Sequence, residues 1–229
     1  NVTANLLLEG PGPALLSVRR NTGGKYRIFT LSNGTTPGPS VEIAGLTITN
    51  GLPPFGAFPV SSGGGILNDA GTLSVRNCVL TGNSTFLSAS TYGGAIFNSE
   101  GNLTIDQSTL AGNTANEGGA IASRRSTPGK SALNIQHSTL NHNVADEGSG
   151  GAIHNLGINA GSIAEMRLIN VTLSGNSATT TGISGGAAKD PYAAGGNTAT
   201  SEAPAAGGEA AAMRAFLQQA GVSFTVEGS

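Results

Sequence analysis

Four stretches of this chain open on a Gly-Gly pair and then run through the same order of apolar and amide residues. They read GGGILNDAGTLSVRNCVLTGNST from Gly63, GGAIFNSEGNLTIDQSTLAGNTA from Gly93, GGAIASRRSTPGKSALNIQHSTLNHNVA from Gly118 and GGAIHNLGINAGSIAEMRLINVTLSGNSA from Gly150. Self-similarity at a spacing of a few tens of residues marks a repeat architecture. The first two copies superpose without a gap, Ile66 on Ile96, Val75 on Ile105, Leu80 on Leu110 and Asn83 on Asn113. The third and fourth keep register around longer loops at Ser126 to Lys130 and Gly157 to Ser162.

Each copy holds three short runs of period-two alternation, such as Ala95-Ile96-Phe97, Leu103-Thr104-Ile105 and Ser108-Thr109-Leu110. Alternation broken by Gly, Asn and Ser predicts strand and turn rather than helix. One copy cannot bury its apolar edge alone. Stacked copies can, because each Ile, Leu or Val then meets its equivalent one rung away and the backbone pairs upward and downward. Three strands per rung with like residues in columns predict an all-β chain folded as a parallel β-helix, a β-solenoid.

The chain has 229 residues, 36 of them Gly, which without register would point to disorder; most of the glycines fall at repeat turns. A net charge of −2, with no Lys/Arg cluster beyond Arg19-Arg20 and Arg124-Arg125, argues against a nucleic-acid partner. No apolar run is as long as a membrane span. Cys78, the lone cysteine, aligns with Ser108, Ser138 and Val171 and reads as a small inward filler. The chain opens at Asn1 without Met, which we read as a processed segment and as favouring export, to an extracellular or cell-surface location.

The β-helix is expected over residues 1–187, with an irregular lead-in at 1–31 and clear repeats at 41–178. Within the lead-in, Tyr26 to Leu31 alternates as a strand. Residues 188–229 read as a weakly structured linker, a short helix at Glu209 to Ala220 and a strand at Val222 to Glu227, either capping the solenoid or joining it to a neighbour. Phe216, Leu217, Val222, Phe224 and Val226 are the assembly candidates in that tail, the last strand being one a neighbouring copy could receive. About six or seven rungs give a rod on the order of 30 Å long.

Ile48, Leu80, Leu110, Leu140 and Leu173 form one interior column, and Val75, Ile105, Ile135 and Leu168 another. Burial of each such side chain is worth roughly 1.5–3 kcal/mol. Two polar columns fall at corners: Asn83, Asn113, Asn143 and Asn176, then Asn68, Asn98, Ser123 and Asn155. Stacked amides carry both donor and acceptor and suit ladders. Glu100 beside Arg125 and Arg76 beside Asp106 predict ion pairs between rungs.

With the copies laid out, the pattern resembles the right-handed parallel β-helix repeats of bacterial surface proteins. The motifs are GGGILN at 63–68, GGAIFN at 93–98, GGAIHN at 150–155 and the segments ending at Asn83, Asn113, Asn143 and Asn176. They are similar to the polymorphic outer-membrane-protein type of repeat (GGAI followed by xxN) and to large secreted choice-of-anchor β-helix proteins. VEIAGLTITNG at 41–51 looks like their first well-formed rung, and the resemblance covers residues 26 to 178. It implies a right-handed coil and an adhesive or structural role. The third copy departs from the motif at Ala122-Ser123.

Many parallel β-helix proteins are polysaccharide lyases or hydrolases, and glycoside hydrolysis needs two flanking carboxylates. The outward columns here are Thr47, Val79, Thr109, Thr139 and Thr172; Glu42, Ser74, Thr104, Asn134 and Arg167; and Leu67, Phe97, Ala122 and His154. None gathers two carboxylates and a base, so no catalytic residue and no cofactor are assigned. Glu117 stacks over Glu147 and Asn116 beside Asp146, which makes Glu117, Asp146 and Glu147 a weak calcium candidate against solvated turn charge. His137, His142 and His154 fall in different columns and read as surface or turn residues. Sequons at Asn1, Asn33, Asn83, Asn102 and Asn170 come almost free in a chain so rich in Asn and Thr.

The expectation is a non-enzymatic exported structural or cell-surface protein, self-associating head to tail into a filament or acting as an adhesive rod on cell-surface glycans. The alternatives are a carbohydrate-active or carbohydrate-binding β-helix protein and, from the threonine column, an ice-binding solenoid.

Overall fold

The computed structural model describes residues 1–21, 23–86, 91–146 and 148–178, and beyond them the backbone of the strands Ala188–Lys189, Thr198–Glu202 and Ser223–Val226. The chain is an all-β parallel solenoid of about five turns, each of about 32 residues. The Gly-Gly pair at Gly185-Gly186, ahead of the strand Ala188–Lys189, lies outside the described residues.

Three long sheets form the walls. The first holds Phe29–Leu31, Ile66–Asp69, Ile96–Ser99, Ile121–Arg125, Ile153–Gly157 and Ala188–Lys189. The second runs through Leu6–Glu9, Ser40–Ala44, Thr72–Arg76, Asn102–Asp106, Gly129–Gln136, Ser162–Ile169, Thr198–Glu202 and Ser223–Val226. The third holds Ser17–Arg19, Thr47–Thr49, Val79–Thr81, Thr109–Ala111, Thr139–Asn141 and Thr172–Ser174. A fourth, short sheet of Thr114–Ala115, Val144–Ala145 and Ser177–Ala178 follows the third. Two-residue strands carry too little alternation to stand out in a sequence.

Every pairing is parallel, and the columns fall where the repeats place them. Ile48, Leu80, Leu110, Leu140 and Leu173 are successive partners, as are Ile43, Val75, Ile105, Ile135 and Leu168. Leu80, Leu110, Leu140, Val75 and Ile105 have no exposed surface. The period-two rule holds strand by strand, so that in Asn102–Asp106 Leu103 and Ile105 point in while their neighbours are half-buried or exposed.

The corners explain the glycine pairs. Gly63, Gly93, Gly118 and Gly150 adopt φ of 69°, 65°, 65° and 71°, the left-handed region that side chains resist. The second glycine allows coils to touch, because a Cβ on Gly94 would collide with the carbonyl of Gly119 and the backbone of Thr114. His137 and His142 stand at two further left-handed corners with φ of 47° and 50°, in line with Gln107 and Gly112. Cys78 is buried as expected, and burial pushes its thiol above the ordinary value against the lowering effect of nearby backbone groups. Its backbone N–H donates to Ser108 Oγ at 3.1 Å, and that of Ser108 to Ser138 Oγ at 3.1 Å.

Several expectations are corrected. Residues 1–31 are not irregular throughout, because Leu6–Glu9, Ser17–Arg19 and Phe29–Leu31 each pair in register with the next coil. Opposite Gly63-Gly64 and Asn68 that coil carries Tyr26-Arg27 and Leu31, so the repeat pattern passes over it. Arg76 lies opposite Asp106 in register but binds Glu42 on the preceding coil at 3.1 Å, while Asp106 takes His137 Nδ1 at 3.1 Å. Register fixes the Cα and leaves a long side chain free to reach either way. The Glu100–Arg125 pair does form, at 3.6 Å. At the far end, Thr198–Glu202 pairs with Glu165 to Ile169 and Ser223–Val226 pairs with Thr198 to Ser201, so the last strand joins its own chain. The helix expected at Glu209 to Ala220, with Phe216 and Leu217, lies outside the described residues, as do Val222 and the side chains of Phe224 and Val226.

Candidate functional site

The outer wall of the first sheet departs most from its sequence reading. Leu67, Phe97, Ala122 and His154 form one column in register. They point outward, yet they are only 4%, 0%, 1% and 2% exposed. Two segments that interrupt the repeat roof them. One is the loop from Leu52 to Ser62, and the other brings in Tyr92.

Aromatic contacts build the roof. The Tyr92 ring stacks on Phe97 with centroids 5.5 Å apart, and Phe58 meets Phe97 edge-on at 5.5 Å and Tyr92 at 5.9 Å. Arg124, on the next coil, lays its guanidinium over Phe58 at 4.7 Å and Tyr92 at 5.2 Å. A second cation, Lys25, sits 4.3 Å from the Phe86 centroid and 5.9 Å from that of Phe55, with those two rings 4.9 Å apart.

Arg27 anchors the loop from below. Its Nε donates to the carbonyls of Gly63 at 2.8 Å and Ser62 at 3.1 Å, its Nη2 to Val60 at 2.7 Å and Ser62 at 2.5 Å, and its Nη1 to Thr30 Oγ1 at 3.0 Å. Burial lowers this guanidinium to about 10, so it stays charged at neutral pH and binds the loop through carbonyl dipoles.

Deeper in the wall, Glu117 accepts from His154 Nδ1 at 2.8 Å. The other ring nitrogen, Nε2, is buried without a hydrogen-bond partner. His154 is therefore a core histidine and not the surface or turn residue expected. Ala122 beneath it leaves room for the ring, and Tyr92 lies 6.3 Å away. Alternation in the sequence gives the side of the sheet but is silent on what covers it. The Pro/Gly-rich break at Leu52 to Ser62, with Phe55 and Phe58 in it, is the one signal that marked this wall.

The calcium candidate is described only in part. Glu117 is bound to His154, the backbone carbonyl of Asp146 accepts from Asn116 Nδ2 at 3.0 Å, and Glu147 lies outside the described residues. Among the described residues no group of three His, Cys, Asp or Glu side chains is placed to hold a metal ion. The ladder Asn83, Asn113, Asn143 and Asn176 forms along its length, at 3.1, 2.9 and 2.9 Å between amides. In the other column Asn68 bonds Asn98 at 2.7 Å, Asn98 bonds Ser123 at 3.0 Å, and the run stops before Asn155. Asn83 lies buried in its ladder, which removes it as a sequon. The threonine column of the third sheet stacks in register, half-buried at Thr47, Thr109 and Thr139. An open groove of about 400 Å³ over the second sheet is lined by Asn5, Leu7 and Glu42, and Glu42 is tied to Arg76. No helix among the described residues is long and apolar enough to cross a membrane. No protein-family model, curated protein or solved structure matches the chain.

Proposed function

We propose that the protein is a non-enzymatic structural rod of the cell surface or extracellular space, and that it adheres through the roofed wall of its first sheet. The observation that carries this reading is the loop from Leu52 to Ser62, which holds Phe55 and Phe58 at 69% and 48% exposure above a wall otherwise closed. Hydrogen-bonded coils supply a stiff mount, and a preorganised aromatic patch binds at low entropic cost. The test is attachment of purified chain to intact cells or surface extracts. Phe55→Ala, at a side chain outside the core, should lower attachment by about tenfold if the ring is an anchor. Equal attachment by this variant overturns the reading.

A second reading is end-to-end assembly, favoured by Leu7 and Leu15, which stand 61% and 76% exposed in the first coil. Leu6–Glu9 and Ser223–Val226 lie at opposite ends of the eight-stranded sheet. Both present a parallel edge, so copies stacked head to tail would continue the ladder and grow a fibre. Electron microscopy and sedimentation velocity test this. Fibres that vanish in Leu7→Lys with Leu15→Lys support it, and dispersed wild-type rods at all concentrations overturn it.

A further inference from the structure

We infer that the ligand of the roofed wall is an acidic polysaccharide, a polymer of sugar rings carrying uronate carboxylates at intervals; this rests on the adhesive reading above. Two features of the wall meet in such a polymer. Phe55 and Phe58 stay 69% and 48% exposed, and the apolar C–H face of a pyranose packs on exposed aromatic rings. Lys25 and Arg124 flank them, each held over aromatic faces and neither in an ion pair with any described carboxylate.

The surrounding sequence is one-sided in charge. From Gly10 to Ser40 it holds Arg19, Arg20, Lys25 and Arg27 with no Asp or Glu, and from Leu52 to Asn68 it holds no acidic residue. Other basic side chains are paired with carboxylates, as Arg125 is with Glu100 next to Arg124 and, on the second sheet, Lys130 is with Glu165. Cations left over rings keep their charge for a ligand, while the carboxylates nearby, Glu117 and Glu100, are engaged by His154 and by Arg125 with Ser126 and Thr127.

The charge is sparse, and this separates the candidate anions. A nucleic acid brings a phosphate at every nucleotide and needs a continuous basic track. Two free cations beside two exposed rings, on a chain of net charge −2, fit a polymer with one carboxylate per sugar or fewer. Arg27 holds the loop in place before any ligand arrives.

The test is titration of the purified chain with polygalacturonate, with amylose as the neutral polymer and an oligothymidylate as the phosphate polymer, at low and raised salt. The inference expects binding to polygalacturonate that weakens with salt and exceeds binding to either control. Arg124→Gln, Lys25→Gln and Phe55→Ala should each weaken it by about tenfold. Lys130→Gln, on the second sheet, should leave it unchanged. No binding to polygalacturonate, equal binding to amylose, or tighter binding to the oligothymidylate overturns the inference. If cell attachment is lost in Phe55→Ala while polygalacturonate does not bind, the adhesive reading stands and the acidic ligand alone is lost.

Discussion

Two columns of amides run along this solenoid, one complete and one interrupted. At the corner after the third sheet, Asn83, Asn113 and Asn143 each donate Nδ2 to the next Oδ1 and to a carbonyl one coil back, of Ile48, Leu80 or Leu110. Each receiving Oδ1 also accepts the backbone N–H of the asparagine before it, at 3.0 Å throughout. Within the strands of the first sheet, where the chain nears its next corner, Ser123 stands in the third coil, and its hydroxyl takes Asn98 Nδ2 while Asn155 Oδ1 stays buried without a partner. A ladder passes polarity from coil to coil only while every step carries both a donor and an acceptor long enough to reach.

The interrupted corner is held by another device. Glu100 receives the amide and hydroxyl of Ser126 and those of Thr127, with Arg125 alongside at 3.6 Å. One carboxylate thus gathers the longer loop of the third coil. The amide corner is indifferent to pH and the carboxylate corner is not, so the two can be broken separately.

The largest effect should come from beneath the complete ladder. Leu110 has no exposed surface, and its carbonyl accepts from Asn143 Nδ2 at 3.0 Å. Leu110→Asp places an unpaired charge in the column and should abolish folding, read as loss of the β-sheet circular dichroism signal and of soluble expression. Within the ladder, Asn113→Ala deletes its bonds to Leu80 and Asn143 and strips the acceptor from Asn83. We expect a cost of about 3–5 kcal/mol in chemical denaturation, from several buried groups left unpaired. Asn98→Ala, in the shorter column, should cost less. Equal costs would mean that the extent of a ladder does not matter.

Acid should loosen the other corner. Burial raises the Glu100 carboxyl, but the hydrogen bonds from Ser126 and Thr127 outweigh it and hold the group below its ordinary value of 4.5. Its stabilisation is therefore present above the unfolded pKa and lost as pH falls through the lower folded value. Glu100→Gln should flatten that part of the stability profile, and Asn113→Ala should lower the whole profile without changing its slope. A wild-type profile that Glu100→Gln leaves unaltered removes the clamp as a pH-dependent element.

The contrast also shows what the sequence could disclose. Leu80, Leu110 and Leu140 sit at equal spacing in copies that align, so chain period and spatial column are the same information. The first coil has no such copy to align with, and its strands at Leu6–Glu9 and Ser17–Arg19 were legible only as apolar runs. His154 and Phe97 were placed on the correct side of the sheet, but their burial comes from Phe58 and Tyr92, in segments that follow no period. Repetition discloses the scaffold, and the site lies where repetition stops.

The smallest expected effect is a repair. The glycines that accommodate the short amide run, Gly71 and Gly101, accept from Asn68 and Asn98 through their carbonyls at 3.0 and 2.9 Å. In the third coil Ser131 holds the position of Gly101, one residue before the Asn102–Ala132 step, and its Oγ is buried without a partner. Ser123 and Ser131 thus replace an asparagine and a glycine together, two small hydroxyl groups filling the volume of one amide. Restoring only the amide would press it against the Ser131 side chain, as a Cβ on Gly101 would collide with Asn98 Oδ1 and Asn68 Nδ2. The double change Ser123→Asn with Ser131→Gly should instead carry the ladder through to Asn155 and raise stability by about 1 kcal/mol, one net hydrogen bond. Each single change should fall short of that sum, so a double-mutant cycle gives a positive coupling. Additive or negative coupling would mean that the third coil has settled into its own packing, and that the interruption reflects the longer loop rather than the missing amide.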